Sequence, residues 1–129
     1  MIISNPSRAS NRYPVTQAQI DDILENELKG FDFPIKPVYN PRIKDNGRII
    51  AEVRGQVKKI KKIEIGKQDK PERKFLIDTI LHEYYESEIL IKRLTSDIYL
   101  NLDNALALER HKWIDSQISS FFSNMEDKL

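Results

Sequence analysis

Residues 75–91 read FLIDTILHEYYESEILI, and the fold of the chain turns on how that run is taken. At about 100° per residue, Ile77, Ile80, Leu81, Tyr84 and Ile91 form one apolar face. The opposite side carries Phe75, Ile89 and Leu90 together with His82 and Glu86. A helix that is apolar nearly all round belongs inside a domain. Pro71 suits a first helical turn, so the helix is expected from about residue 72 to 95. His82 and Glu86 are four apart and stand over one another on one side. Two ligands from one helix grip a single metal ion at that spacing, and Glu83, about 100° round from His82, is in reach of a metal-bound water. A carboxylate in so apolar a setting is costly unless it is paired, protonated or metal-bound. The same string also fits a glutamate at a solvent-exposed edge beside a hydrogen-bonded core histidine.

Downstream, a polar break near residues 95–101 precedes a last helix, expected over about 102–124. Its apolar stripe includes Ala107, Ile114, Ile118 and Phe122. His111, the second of two histidines, points the same way, as does Asp115 four residues later. If the two long helices pack together, His82, Glu86 and His111 supply three ligands and leave one open position, the pattern of catalytic zinc. Asp115 either orients His111 or replaces it as ligand. The plain alternative for His111 is a satisfied core histidine.

Upstream, residues 1–14 are rich in Ser, Asn, Arg and Pro and are expected to form a flexible arm, followed by a single domain over 15–129. Ile20, Ile23, Leu24 and Leu28 make a helical stripe with Thr16 as N-cap and Gly30 as stop. FDFPIKPVYNP carries three prolines, so it forms at most an edge strand or a connector. Asp45-Asn46-Gly47 is a hairpin-type turn signal. Ile49, Ala51 and Val53 alternate with Ile50, Glu52 and Arg54 as a half-buried strand does, and a second strand is expected near Ile60–Ile65. The fold class is therefore α+β: an N-terminal helix, a small antiparallel sheet of two or three strands, a buried long helix and a closing C-terminal helix.

The bulk numbers narrow the chemistry. With 129 residues the chain has the size of one domain, and a formal net charge of +1 gives no strong pull toward nucleic acid, membrane or acidic substrates. The absence of cysteine removes disulfides, thiolate zinc clusters and cysteine nucleophiles together. Four glycines leave little room for a phosphate-binding loop or a nucleophile elbow. Neither a signal peptide nor a membrane-spanning run is legible, so a cytoplasmic protein is expected.

The segment from Ile63-Glu64-Ile65 to Phe75-Leu76-Ile77-Asp78-Thr79-Ile80-Leu81-His82-Glu83-Tyr84-Tyr85-Glu86 resembles the core of zincin-like metallopeptidases. There a strand precedes a helix bearing His-Glu-x-x-His, often led in as Thr79-Ile80-Leu81 leads in this one. The likeness covers roughly residues 16–124 in layout and 60–86 in local motif. It implies His82 as first ligand, Glu83 as general base, and residues 60–65 as an edge strand that pairs with an extended peptide or protein substrate. The departure is Glu86, where the superfamily usually has a second histidine. Some small zincin-like proteins, several phage- or prophage-borne, use His-Glu-x-x-Glu with a later histidine. A carboxylate ligand discriminates less between zinc and manganese or iron. The implied function is a zinc-dependent hydrolase, a peptidase before any other. The alternative is a non-catalytic zincin-like scaffold serving as a phage-related accessory or structural protein.

Arg54, Lys58, Lys59, Lys61 and Lys62 form the most basic stretch. It would give salt-dependent nucleic-acid affinity, yet lysines on an edge strand more often guard against sheet-to-sheet aggregation. Nucleic acid therefore ranks third. One of Tyr84 and Tyr85 is a candidate oxyanion donor, with core packing the stronger expectation.

Overall fold

The computed structural model describes residues 2–54, 57–92 and 104–127. In chain order the elements are β1 (Ile2–Pro6), α1 (Gln17–Glu25), β2 (Val38–Tyr39), β3 (Asp45–Arg54), β4 (Val57–Ile65), α2 (Arg73–Lys92) and α3 (Asn104–Asp127). The polar break near 95–101 lies outside the described residues.

The α+β class holds, but the sheet is larger than expected and is not wholly antiparallel. It has four strands in the order β1-β3-β4-β2, with β2 parallel to β4. The extra strand comes from the N-terminal segment expected to be loose. Ile2–Pro6 pairs antiparallel with β3, from Ile2 opposite Ile50 to Asn5 opposite Gly47. The residues that follow are also tied down. Tyr13 and Gln68 exchange backbone hydrogen bonds of 2.8 Å, and Arg12 donates to the carbonyls of Ile43, Asp45 and Lys67. The proline-rich segment yields only the two-residue β2, as an edge strand bounded by Pro37 and Pro41 must.

β3 and β4 pair antiparallel with one irregularity, where Ile50 faces Lys62 but Ala51 faces Ile60. Lys61 is thus an extra residue on β4. Strict alternation would send Ile60 and Ile63 to opposite faces, and the bulge lets both turn inward. Ile49, Ala51, Ile60, Ile63 and Ile65 accordingly share one core with Ile77, Ile80, Leu81 and Leu90 of α2 and with Ile114 and Ile118 of α3.

The helices follow their local signals. Thr16 caps α1 through a full capping box, its hydroxyl accepting from the Gln19 N–H while the Gln19 side chain accepts from the Thr16 N–H. α2 lies between the sheet and α3, touching β1, β3 and β4 on one side and α3 on the other. That sandwiching explains its lack of a polar face, and it carries His82, Glu83 and Glu86 into the interior.

A buried polar knot fixes the sheet end nearest Glu83. Gln68 is fully enclosed; its amide donates to the carbonyls of Asn46 and Gly66 at 2.8 Å each, and it accepts from the Thr79 hydroxyl at 2.6 Å. Asn46 and Asp69 bond reciprocally at 3.0 and 3.1 Å, and Ser7 and the Arg8 N–H also donate to Asp69. Among the described residues no helix is long and apolar enough to cross a membrane.

Candidate functional site

The seam between α2 and α3 holds two contacts between polar side chains, His82 with His111 and Glu86 with Arg110. His82 is 8% exposed, and its ring centre lies 5.6 Å from that of His111, the planes inclined at 55°. Burial pushes His82 down to about 4, and the neighbouring His111 and Arg110 act in the same direction. His82 is therefore neutral at physiological pH, the state in which a ring nitrogen keeps its lone pair. His111 is half-buried on α3.

Glu83 points the other way, toward the sheet. It is 1% exposed, and among the described residues neither carboxyl oxygen has a hydrogen-bond partner. Burial holds its carboxyl well above the usual range, with Glu86 and Asp45 adding to the shift. The side chain rests on Gly47 of β3, where a β-carbon would come within 3.0 Å of Glu83 Cγ and Oε1. Gly47 was expected in a hairpin turn; it lies instead in a strand, opposite Asn5 and Ile65.

Glu86 is 2% exposed and carries an ion pair that the sequence reading did not foresee: Arg110 Nε stands 3.0 Å from Glu86 Oε1, with the arginine side chain 9% exposed. The signal was present. Arg110 sits three residues after Ala107 and four before Ile114, inside the apolar stripe of α3, where a cation needs a buried anion. Asp115 is exposed, and its charge bears on Asp78 of α2. Among the described residues no hydrogen bond or ion pair joins Asp115 to His111.

The fit to a metal ion is mixed in an informative way. Two imidazoles bound to one zinc at about 2.0–2.1 Å place their ring centres about 5–6 Å apart, so the His82–His111 spacing suits such a pair. Glu86, the expected third ligand, already faces a guanidinium. Among the described residues no group of three or more His, Asp or Glu side chains stands ready to hold a metal.

The tyrosines pack. Tyr84 meets Phe31 edge-on at 5.1 Å and Phe33 at 5.0 Å, while Tyr85 meets Trp113 at 5.6 Å. On the sheet, β2 occupies the outer edge of β4 only at Glu64 and Ile65. From Val57 to Ile63 that edge has no strand beside it among the described residues. The basic stretch is partly neutralised, since Arg54 and Lys61 both pair with Glu52 at 3.1 Å. Comparison with protein-family models, curated proteins and solved structures finds no match for this chain.

Proposed function

We propose that the α2–α3 seam binds one divalent metal ion and that this zincin-like domain is a metal-dependent hydrolase, a peptidase before any other. The observation that carries this is the close approach of two imidazoles, His82 on α2 and His111 on the adjacent α3. His82 is neutral and ready to donate a lone pair. The two imidazoles make zinc the first choice, and Glu86 as the carboxylate ligand keeps manganese or iron as alternatives. A bound ion would lower the pKa of a coordinated water toward neutrality. Glu83 is the general base: burial raises its proton affinity, and a cation bound at the seam would favour the ionised form that takes a proton and returns it to a leaving amine. An extended peptide substrate would pair with β4 along residues 60–63, the part of the expected 60–65 edge that β2 leaves open. A cytoplasmic setting goes with this reading.

One observation favours a second reading. The Glu86–Arg110 pair satisfies both charges without a metal, as a non-catalytic, phage-related scaffold on the same fold would require. Nucleic-acid binding draws less support, because Glu52 already engages two of the basic side chains.

Metal stoichiometry of the purified full chain decides between them. About one equivalent of zinc in the wild type and none in His82→Ala or His111→Ala supports the metal site. A folded wild type that takes up no metal when zinc is supplied overturns it. Given a metal site, Glu83→Gln should keep the ion and lose peptide cleavage; loss of the ion would make Glu83 a ligand rather than a base.

A further inference from the structure

β4 is covered on its outer side by β2 only at Glu64 and Ile65. From Val57 to Ile63, about 20 Å of strand, no strand among the described residues pairs with that side. A row of backbone N–H and C=O groups is best matched by another extended backbone, so this edge suits an added strand.

Charge narrows which strand. Residues 52–62 hold five Lys and Arg against one Glu, in a chain whose net charge is +1. Glu52 is shared between Arg54 and Lys61, and Glu64 is engaged by Arg48 and Asn40. Lys59 and Lys62 are exposed, and no ion pair among the described residues reaches either. The bulge at Lys61 sets them on one face: Ile60 and Ile63 turn into the core, so Lys59 and Lys62 both face outward. They lie opposite Glu52 and Ile50, which are two positions apart on β3. A second copy of β4 at this edge would set lysine beside lysine, and a neutral strand would leave both cations unmatched.

We propose that the edge of β4 from Val57 to Ile63 docks an extended acidic segment of another polypeptide, added as a strand with carboxylates at alternate positions facing Lys59 and Lys62. Backbone pairing supplies the attachment and the two lysines supply the selectivity. Docking of this kind rests on the edge pairing proposed above, names the class of segment it takes, and needs neither a metal nor Glu83.

The test uses the full chain with chelator present and a capped, fluorescein-labelled peptide of alternating Glu and Val, followed by anisotropy. It should bind about tenfold more tightly than the same peptide with Gln for Glu, as two cross-strand ion pairs allow. Lys59→Gln with Lys62→Gln, both at exposed positions whose exchange spares the fold, should remove that preference, and rising salt should weaken it. Hydrogen exchange at the β4 amides should slow on binding. Methylating one alternate set of the peptide's backbone nitrogens should abolish binding, while methylating the other is tolerated. A Glu peptide that fails to bind, a Gln peptide that binds equally well, or binding with unchanged exchange in β4 overturns the docking site. Tighter binding of an oligothymidylate through the same lysines, with exchange in β4 unchanged, overturns it in favour of a nucleic-acid surface. Because chelator is present, failure here leaves the metal site to its own stoichiometry. Docking by a protein that takes up no zinc would survive the loss of the hydrolase.

Discussion

Glu83 on α2 and Gly47 on β3 lie so close that the glycine hydrogen occupies the only space a side chain would have, with Glu83 Cγ and Oε1 3.0 Å from the position of a β-carbon. The helix seats its buried carboxyl on bare backbone. Gly47→Ala should therefore destabilise the protein by about 1–3 kcal/mol, the usual range for forcing a methyl into a packed interior. Most of that loss should vanish when Glu83 is also shortened to Ala. A double-mutant cycle read by urea denaturation checks this. Additive effects of the two substitutions would mean that the carboxyl is not what fills the space.

The protonation of Glu83 makes stability depend on pH in a direction opposite to the usual carboxylate. Below its ordinary value of 4.5 the group is protonated in both folded and unfolded chains. Above that value the unfolded chain ionises while burial keeps the native carboxyl protonated, so its contribution falls as pH rises. His82 acts in the reverse sense between about 4 and 6.5, where only the unfolded chain takes up a proton. The two trends offset one another in mild acid, and above pH 6.5 the Glu83 effect stands alone. In metal-free protein, Glu83→Gln should thus raise the melting temperature by a few degrees at pH 8 and by less at pH 5. A gain that is equal at both pH values would mean that Glu83 is ionised in the native state.

The Glu86–Arg110 pair is enclosed, and enclosed pairs respond unevenly to substitution. Removing one partner leaves a buried charge uncompensated, a cost of about 3–5 kcal/mol, whereas replacing both with apolar groups of similar size is often neutral. Arg110→Met should accordingly destabilise the metal-free protein by about 3 kcal/mol, and Arg110→Met with Glu86→Leu should recover most of it. Denaturant melts of the two single variants and the double variant measure the coupling. If zinc is then added, only the variant that keeps Glu86 should regain stability.

Local signals in the sequence were read well where the cause was local, and poorly where the partner was distant. The Thr16 cap needs only Gln19, three residues on, and is found as expected. The alternation of Ile49 and Ala51 also survives, because one face of β3 is buried whatever pairs with its edges. Asp45-Asn46-Gly47 looked like a turn because its composition is that of a turn. It is held extended by β1, where Asn5 lies opposite Gly47 and Pro6 opposite Asp45 from far back in the chain, and by the Asn46–Asp69 bonds. Strand pairing over that distance leaves no trace in a window of neighbouring residues. At the candidate site, His82, Glu83 and Glu86 could be placed from spacing on one helix and His111 from the stripe on the next. Arg110 falls inside the apolar stripe of α3 by the same helical period, but that its partner is Glu86 follows from how α2 and α3 cross, which no period encodes.

Thr79, in the run that leads into His82, holds the end of the sheet. Its hydroxyl donates to Gln68 Oε1 at 2.6 Å in a place without solvent, and the Gln68 amide in turn ties together the carbonyls of Asn46 and Gly66. Thr79→Val keeps the shape and removes the donor, leaving the Gln68 oxygen buried and unsatisfied. The expected cost is about 1–3 kcal/mol, larger than that of an average lost hydrogen bond because the abandoned acceptor cannot turn to water. Thr79→Ser keeps the donor and should lose far less. Thr79→Val should also speed hydrogen exchange at the Tyr13 and Gln68 backbone amides, each of which donates to the other residue's carbonyl. Thermal melts and exchange rates together distinguish the two outcomes. A Thr79→Val protein as stable as the wild type, with those amides still protected, would show that Gln68 is held by its amide bonds alone and that Thr79 has no structural part at this end of α2.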